Sequence, residues 1–357
     1  AGKKIIFSLI VLFFFLLIAE LGIRGVLFFS SFGKKQLDLD PYREPNSKFG
    51  WGLKANYRQT SLSPDTGQEE LLTINSKGFR GEEFDTEKDF KKTRIIMMGD
   101  SVTFGITPEA CPYPAQLQSL FNQKYPHKVE VINAGVGGYS SEYVLKRLKY
   151  DILQYKPDII TVYVGWNDLY AINPQSPWQY KNLTNVAKFL NHFYLYKAYR
   201  KIIFQWLKPK LGGLLDNLKD TPYVYAQYQK FIPEKYIGNL KEIAKVCRDN
   251  NIKLVLINLA SILKEKMSNE GIKKVHYPYF TSDIQKLILL QNIYNRSIKK
   301  IAEEEEVPLI DLAAVFDSIP TKENLFFDTM HPYCSGQKII AETIYKNLLD
   351  FGIITLK

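Results

Sequence analysis

Short apolar runs alternate with amphipathic stretches along the chain from about residue 93. The apolar runs are typical of buried strands and start near residues 94, 128, 158, 252 and 307. Stretches with helical spacing separate or follow them, and the clearest are "PAQLQSLFNQKY", "SSEYVLKRLKYDILQY", "NLKEIAKVCRDN", "DIQKLILLQNIYNRSIKKIAEEEE" and "SGQKIIAETIYKNLLDFG". This alternation predicts an α/β fold with a five-stranded parallel sheet that helices cover on both faces. Because crossovers between parallel strands are right-handed, a doubly wound three-layer α/β/α sandwich is the simplest arrangement.

The N-terminal segment has a different pattern, because nearly all of its positions are apolar. Ser8 is the only polar residue from Ile5 to Ala19, and Glu20 and Arg24 follow at a spacing that lets them pair on a helix. A helix that crosses the ~30 Å hydrocarbon core of a bilayer needs about 20 residues. Residues 1–30 are therefore predicted to form a transmembrane helix.

The charges around this helix predict its orientation. Lys3 and Lys4 precede the apolar run, which indicates that the N-terminus stays in the cytoplasm. The rest of the chain would then be extracytoplasmic, periplasmic or extracellular, on a single-pass membrane protein. A cleaved signal peptide is the competing interpretation. An uncleaved signal anchor is favoured, because Leu17 stands where a small residue should precede Ala19 in a cleavage site.

Two further regions fall outside the strand and helix alternation. Residues 31–92 are polar and rich in turn residues, which predicts a linker or N-terminal extension containing a hairpin. Residues 93–357 form the predicted main domain, and about 171–235 interrupt it with apolar positions at helical spacing. Two interpretations of this helical insertion stay open. It is an extra helix that packs on the core, or a basic, aromatic lid that touches a membrane surface.

Composition and charge exclude some classes of protein. The chain of 357 residues is 46% hydrophobic and 24% charged, as expected for a globular protein rather than a disordered one. Its net charge is +10, and residues 181–230 contain nine Lys or Arg against two acidic residues. A basic patch of this kind is either a solvated face or a site for an anionic partner. No nucleic-acid-binding motif accompanies it, so a nucleic-acid partner is not predicted.

Polar residues and glycines follow four of the predicted strands. "GDS" follows the first strand, "NAGVGGY" the second and "GWND" the third, and "DTMHP" comes after the fifth. Ligands of open parallel sheets bind outside the carboxyl ends of the strands. The four motifs are therefore expected to gather at one edge of the sheet.

The residue types in these motifs suit nucleophilic catalysis. A serine hydroxyl needs a base within hydrogen-bond reach, and the base needs an orienting group. Ser101 is the candidate nucleophile, His331 the candidate base and Asp328 the candidate orienting carboxylate. An acyl-transfer reaction also needs hydrogen-bond donors for the oxyanion. The candidates are the backbone N–H of Ser101, the backbone N–H of Gly138 and the side-chain amide of Asn167.

The four motifs together resemble the SGNH hydrolases, also called the GDSL esterase/lipase family. "GDS" matches the block with the nucleophile, Ser101, and "NAGVGGY" matches the block with the oxyanion glycine, placed at Gly138. "GWND" matches G-x-N-D and assigns Asn167, and "DTMHP" matches D-x-x-H-P and assigns Asp328 and His331. The resemblance covers about residues 93–350. It implies a flavodoxin-like three-layer sandwich, ester hydrolysis and no cofactor.

Cysteine and histidine usage adds little to this interpretation. The four histidines are scattered without ligand spacing, so no protein-built metal site is predicted. Three cysteines are too few for a disulfide scaffold. Cys111 and Cys334 both fall near the predicted catalytic edge. Whether they form a disulfide is left open, because the geometry cannot be read from the sequence.

Three functions remain compatible with these residues. The favoured one is an extracytoplasmic esterase, deacetylase or lipase that acts on a small-molecule, glycan or lipid ester. The second is an O-acyltransferase that uses the same triad to transfer an acyl group to cell-envelope polysaccharide. The third is a non-catalytic binding protein that keeps the fold. The complete set of expected catalytic residues favours an enzyme over the third.

Overall fold

The computed structural model describes residues 2–29, 42–63, 66–106, 110–170, 228–278 and 281–354, together with residues 190, 193–196 and 199. The chain divides into two compact units. One consists of Ala1–Tyr42 with Asn173–Lys219, and the other of Arg43–Ile172 with Asp220–Lys357. Most of the predicted insertion at about 171–235 lies outside the described residues.

The first unit contains the apolar helix α1, Gly2–Phe29. Among the described helices it alone is long and apolar enough to cross a membrane, over Ile6–Val26. Its length and composition fit a single-pass anchor and a signal peptide equally well. The predicted pairing at its end is confirmed, since the Glu20 carboxylate accepts a hydrogen bond from Arg24 Nε at 2.8 Å. The same carboxylate also accepts from the backbone N–H groups of Tyr194 and Leu195.

The second unit begins with two antiparallel hairpins. Strand β1, Arg43–Asn46, pairs with β2, Gly50–Leu53. Strand β3, Arg58–Leu62, pairs with β4, Glu69–Thr73. The extension therefore contains two hairpins where the sequence predicted one, and both belong to the same compact unit as the main sheet.

The predicted five-stranded parallel sheet is confirmed. Its strands, in chain order, are β5 Thr93–Gly99, β6 Val129–Gly135, β7 Ile159–Tyr163, β8 Lys253–Ile257 and β9 Leu309–Ile310. Their order in the sheet is β6-β5-β7-β8-β9, and every neighbouring pair is parallel. Counted from the first strand of the sheet this is the order 2-1-3-4-5, which is the flavodoxin-like topology.

Helices flank the sheet in two groups. The helices whose bounds fall within the described residues after α1 are α2 Ser101–Phe104, α3 Tyr113–Lys124, α4 Ser141–Tyr150, α5 Trp166–Tyr170, α6 Glu234–Asp249, α7 Asn269–Lys274, α8 Ile284–Glu304, α9 Leu312–Asp317 and α10 Cys334–Asp350. Short 3₁₀ turns lie at Ile152–Tyr155 and Lys322–Leu325. Helix α3 packs against α10, whereas α6 packs against both α4 and α8. Right-handed crossovers place these two groups on opposite faces of the sheet, which makes the three layers.

Burial explains why the apolar runs form strands. All five residues of β7 are buried, and Ile95, Ile96 and Met97 of β5 are fully inaccessible. A strand covered on both faces has no polar side to alternate, so its sequence is a continuous apolar run. The helices bury one stripe only, as in α6, where Tyr236, Leu240 and Ile243 face the core. The polar residues therefore lie on the exposed stripe of each helix and in the segments that connect helices and strands.

Candidate active site

Ser101 lies at the carboxyl end of β5, which lies between β6 and β7 in the sheet, and is the first residue of α2. Asp100 is the N-cap of this short helix, and its Oδ1 accepts a hydrogen bond from the Val102 N–H at 2.9 Å. The aspartate of the motif is therefore a capping residue. The serine beside it is half-buried, and its Oγ lies 2.7 Å from Nε2 of His331.

Glycines at the strand ends let α2 lie against the edge of the sheet. A Cβ added at Gly99 would lie 2.1 Å from Oγ1 of Thr103 and 2.4 Å from the carbonyl oxygen of Tyr163. A Cβ at Gly135 would lie 2.2 Å from the backbone nitrogen of Phe104. No real Cβ tolerates such distances. The two glycines are therefore required for the close approach of the serine-bearing helix to β5 and β6.

A tight turn presents His331 to the serine. One carboxylate oxygen of Asp328 accepts hydrogen bonds from the backbone N–H groups of Met330 and His331, at 2.9 and 2.8 Å. The other oxygen lies 2.7 Å from Nδ1 of the His331 ring. When Nδ1–H donates to this oxygen, Nε2 is left to accept the proton of the Ser101 hydroxyl. The ring also stacks on Phe327, with 5.5 Å between the ring centroids.

The environment keeps Asp328 ionised. Burial by itself would raise the pKa of this carboxyl. The hydrogen bond and charge of the His331 ring, together with the two backbone N–H donors, outweigh burial and lower the pKa below its usual value. An ionised Asp328 is the state that stabilises an imidazolium after proton transfer.

Residues beyond the four motifs anchor the turn at residues 328–331, the histidine turn. Helix α10 begins at Cys334, which forms a disulfide with Cys111, the pairing that the sequence left open. Within α10, Gln337 is 1% exposed, accepts a hydrogen bond from the Tyr113 N–H at 2.9 Å and donates to the Val102 carbonyl at 3.3 Å. It thus joins α10 to the serine-bearing helix and to α3. Sequence reasoning missed Gln337, because its partners are more than 220 positions away.

A second connection holds the turn from the other side. The hydroxyl of buried Thr329 accepts from the His276 N–H at 2.7 Å and donates to the His276 carbonyl at 3.2 Å. The Tyr170 hydroxyl donates to that carbonyl too, and its ring stacks on the His276 ring. Neither contact has a signal in the sequence. Together they link the segment after α7 to the turn between Asp328 and His331.

The three candidate oxyanion donors follow neighbouring strands. Ser101 follows β5, Gly138 follows β6 and Asn167 follows β7, and β5 lies between the other two. Gly138 has φ +83°, a conformation that favours glycine. Within the described ranges, no hydrogen bond uses the N–H of Ser101 or of Gly138. One N–H of the Asn167 amide donates to the Tyr139 carbonyl at 3.0 Å, and the amide has a second.

Two further carboxyl groups at this edge have structural roles. Asp168 accepts hydrogen bonds from the backbone N–H and the hydroxyl of Ser141, at 2.8 and 2.5 Å, and so fixes the start of α4. Burial raises the pKa of Asp168 to about 6 and that of Asp100 to about 7. Among the residues that the structure describes, no cluster of three or more His, Cys, Asp or Glu side chains could hold a metal ion.

Comparisons with known proteins agree with this geometry at the level of the family. The model of the GDSL-like lipase/acylhydrolase family matches residues 97–339, a range that contains all four motifs. No curated protein sequence matches the chain.

Solved structures give remote matches. One, described as a GDSL-like lipase from Parabacteroides merdae, is 15% identical, covers 72% of this chain and 97% of its own, and has a TM-score of 0.46. An acetylxylan esterase from Geobacillus stearothermophilus is 17% identical, with coverages of 72% and 95% and a TM-score of 0.44. An alpha/beta hydrolase enzyme from the metagenome of Lake Arreo is 16% identical, with coverages of 74% and 97% and a TM-score of 0.44.

The family match covers the helix that carries Ser101, the segments with the candidate oxyanion donors and the histidine turn in one continuous range. The chain therefore belongs to the GDSL-like lipase/acylhydrolase family and is a hydrolase of ester bonds.

Proposed function

We propose that Ser101, His331 and Asp328 form the catalytic triad of an extracytoplasmic serine esterase. One observation carries this proposal. A continuous row of hydrogen bonds runs from Asp328 Oδ2 to His331 Nδ1 and from His331 Nε2 to Ser101 Oγ, and each spans 2.7 Å. This is the order and spacing that a general base needs to activate a serine hydroxyl.

The reaction proceeds in two acyl-transfer steps. Ser101 Oγ attacks the ester carbonyl while His331 Nε2 takes its proton, and the Ser101 N–H, Gly138 N–H and Asn167 amide stabilise the oxyanion. The C–O bond to the alcohol then breaks, and the alcohol leaves with the proton from His331. Water, deprotonated by His331, attacks the acyl-enzyme; the bond between the acyl carbon and Ser101 Oγ then breaks, Oγ takes the proton back from His331, and the carboxylic acid is released. Asp328 keeps the imidazole oriented in both steps.

The substrate class proposed is a small-molecule, glycan or lipid ester. The direct test is hydrolysis of p-nitrophenyl esters of graded acyl length by the full chain, with Ser101→Ala and His331→Ala as comparisons. We expect both variants to lose at least about 10³-fold in kcat, since a triad without one member keeps only its oxyanion hole and its binding contacts. Undiminished hydrolysis by folded Ser101→Ala would refute the proposal.

Water is the proposed acceptor of the acyl group. A sugar hydroxyl could resolve the same acyl-enzyme, which would make the protein an O-acyltransferase. Product analysis with an acetylated oligosaccharide, in the presence and absence of an unacetylated acceptor, separates the two. Release of acetate that exceeds acetyl transfer supports a hydrolase, and transfer that exceeds release contradicts it.

We also propose that α1 anchors the enzyme in a membrane, with the catalytic domain outside the cytoplasm. Support comes from the apolar span Ile6–Val26, from Lys3 and Lys4 before it, and from the disulfide between Cys111 and Cys334. Disulfides persist mainly in oxidising compartments outside the cytoplasm. The charges and the disulfide are independent observations that favour the same location.

The domain organisation that goes with this proposal has three parts. Residues 1–30 are the anchor, 31–92 the extension, and 93–357 the hydrolase domain with an insertion at about 171–235. The sheet, the histidine turn and the family match all fall within the third part. The hairpins of the extension pack within the same compact unit, which favours a structural role for them over that of a loose linker.

A further inference from the structure

We propose that Arg43, in the extension before the hydrolase domain, is a positioning residue for the oxyanion donor at Gly138. The inference rests on the proposed function, because it assumes that the Gly138 N–H contacts the oxyanion. The guanidinium of Arg43 donates a hydrogen bond from Nη1 to the carbonyl oxygen of Gly137 at 2.8 Å. That carbonyl and the Gly138 N–H belong to the same peptide group.

The geometry of a peptide group links the two atoms. In a trans peptide the carbonyl oxygen and the N–H point in opposite directions from one rigid plane. A donor that holds the oxygen of Gly137 therefore also fixes the direction of the Gly138 N–H. The indole Nε1 of Trp51 reaches the same oxygen at 3.4 Å, as a second and weaker donor.

This peptide group needs an external restraint. It lies between two glycines, Gly137 and Gly138, which tolerate more backbone conformations than any other residue. Gly138 adopts φ +83°, and a Cβ placed there would lie 3.0 Å from Nη1 of Arg43. Without a partner for its oxygen, the peptide plane could rotate and turn the N–H away from the substrate.

The charge of the partner matters as well as its position. A hydrogen bond from a charged donor is about twice as strong as a neutral one. It also draws electron density toward the carbonyl oxygen, and hydrogen bonds in a chain polarise one another. A cation on the Gly137 oxygen therefore makes the Gly138 N–H a better donor to a developing oxyanion.

The β1–β2 hairpin carries both donors to the Gly137 oxygen. Arg43 is the first residue of β1, and Trp51 lies on β2 opposite Pro45. The Trp51 ring packs against Tyr143 with 4.3 Å between centroids and against Tyr139 with 5.4 Å, and the Tyr139 hydroxyl donates to the Trp51 carbonyl. The hairpin lies outside residues 97–339, so the part of the chain that matches the family does not itself supply these donors.

The test compares an oxyester with its sulfur analogue. Sulfur is a poor hydrogen-bond acceptor, so the ratio of kcat/KM for p-nitrophenyl acetate to that for its thiono analogue measures dependence on oxyanion donors. The full chain is compared with Arg43→Gln, Arg43→Lys and Trp51→Phe. Arg58→Gln, at an exposed position of β3, is the matched control.

We expect Arg43→Gln to lower kcat for the oxyester by about 10- to 100-fold, less than the 10²- to 10³-fold cost of losing an oxyanion donor outright. KM should change little, and the oxygen-to-sulfur ratio should fall. Arg43→Lys should restore part of the ratio, Trp51→Phe should lower it slightly, and Arg58→Gln should match the unmodified chain. In the proton NMR spectrum, the downfield signal of the His331 Nδ1–H should persist in every variant, since none of them changes Ser101, His331 or Asp328.

Other outcomes overturn the inference. A fall in rate with an unchanged oxygen-to-sulfur ratio would reduce Arg43 to a stabilising residue, and an unchanged rate would remove its role altogether. If Arg43→Gln does not fold, the ratio measured for Trp51→Phe decides in the same way. Retention of full activity by Ser101→Ala would instead refute the proposed function, so the two failures are distinguishable.

Discussion

Asp100 and Asp328 both help to position groups at Ser101. Asp100 caps the helix that begins with Ser101, and Asp328 contacts the ring of His331, which in turn contacts the Ser101 hydroxyl. Their surroundings drive their pKa values in opposite directions. Asp328 receives hydrogen bonds on both oxygens, and its pKa is lowered despite burial. Asp100 is 1% exposed, and its Oδ2 has no partner among the described residues. Burial therefore dominates and raises the pKa of Asp100 to about 7.

The raised pKa of Asp100 predicts how stability depends on pH. The folded chain holds this proton up to about pH 7, whereas the unfolded chain releases it near its ordinary pKa of 3.8. The contribution of the carboxyl to folding stability is therefore fully present below pH 3.8 and decreases as the pH rises toward 7. Asp100→Asn keeps a capping oxygen but cannot ionise. Its free energy of unfolding, relative to the unmodified chain, should rise between pH 4 and 7.

The rise in the relative free energy of unfolding of Asp100→Asn is on the order of a few kcal/mol at most, since one pKa unit corresponds to about 1.4 kcal/mol. Urea denaturation at several pH values measures it. Asp350→Asn, at the exposed end of α10, is the control for the loss of one surface carboxylate. A relative stability of Asp100→Asn that stays constant or falls over this range would show that the carboxyl is not held protonated.

The strand ends are the elements that position the reactive groups. Helix α2 leaves β5 at once, and it packs on β6 because Gly99 and Gly135 present no side chains there. The histidine turn is 230 positions from Ser101 in the sequence but lies beside it in the fold. Helix α10, which follows the turn, is held in place by the disulfide and by the hydrogen bonds of Gln337. Helix α2 contributes the candidate nucleophile, and the histidine turn contributes the candidate base and its carboxylate partner. The contacts between these elements fix the distances between the three side chains.

Gly135→Ala tests whether the close approach of α2 to β6 is required. The new methyl group would lie 2.2 Å from the Phe104 backbone nitrogen, so backbone must shift. We expect a loss of about 1–3 kcal/mol or more in the free energy of unfolding, as for overpacked cores. Activity should fall too, because α2 carries Ser101. Chemical denaturation and p-nitrophenyl acetate hydrolysis measure the two effects.

Gly238→Ala is the matched control for this substitution. Gly238 is the fifth residue of α6, is exposed, and has open space where a Cβ would stand. The change should stabilise the chain by about 0.5–1 kcal/mol through helix propensity and leave activity unchanged. Equal effects of the two substitutions would contradict the packing account.

The disulfide between Cys111 and Cys334 should support both stability and catalysis. It joins the segment before α3 to the first residue of α10, three positions beyond His331. Replacing both cysteines with serine should cost about 2–5 kcal/mol of stability. It should also lower kcat, because the histidine turn loses a covalent restraint.

Thiol counting and urea denaturation test this prediction. The unmodified chain, denatured without reductant, should titrate as one thiol, from buried Cys247, and as three after reduction. Cys247→Ala is the control that keeps the disulfide. Three thiols before reduction would show that the bond is absent.

At the scale of the whole molecule, the anchor interpretation and the signal-peptide interpretation make different predictions. Expressed in a bacterium, the full chain should remain in the membrane pellet after a carbonate wash, and its catalytic domain should be digested by protease added to spheroplasts. A chain that lacks residues 1–30 should be released into the soluble fraction. A soluble product shortened at its N-terminus, obtained from the full chain, would instead identify residues 1–30 as a cleaved signal.

The fold and the candidate site differ in how far the sequence predicts them. The five strands begin within two residues of the predicted positions, because buried parallel strands have unmistakable apolar runs. Ser101, Asp328 and His331 were identifiable as candidates, since each lies in a short motif at a strand end or turn. Arg43 and Gln337 were not, because each acts through a backbone group far along the chain. The pairing of Cys111 with Cys334 also depends on three-dimensional distance, which spacing does not contain.

Site-mapped labelling with a fluorophosphonate tests the central claim most directly. The probe reacts only with a serine whose hydroxyl a neighbouring base has activated. Mass spectrometry of the folded, labelled chain should find the phosphonyl group on Ser101 alone, and Ser101→Ala should remain unlabelled. A folded chain that does not react, or one labelled equally with and without the Ser101 hydroxyl, would contradict the catalytic role of this serine.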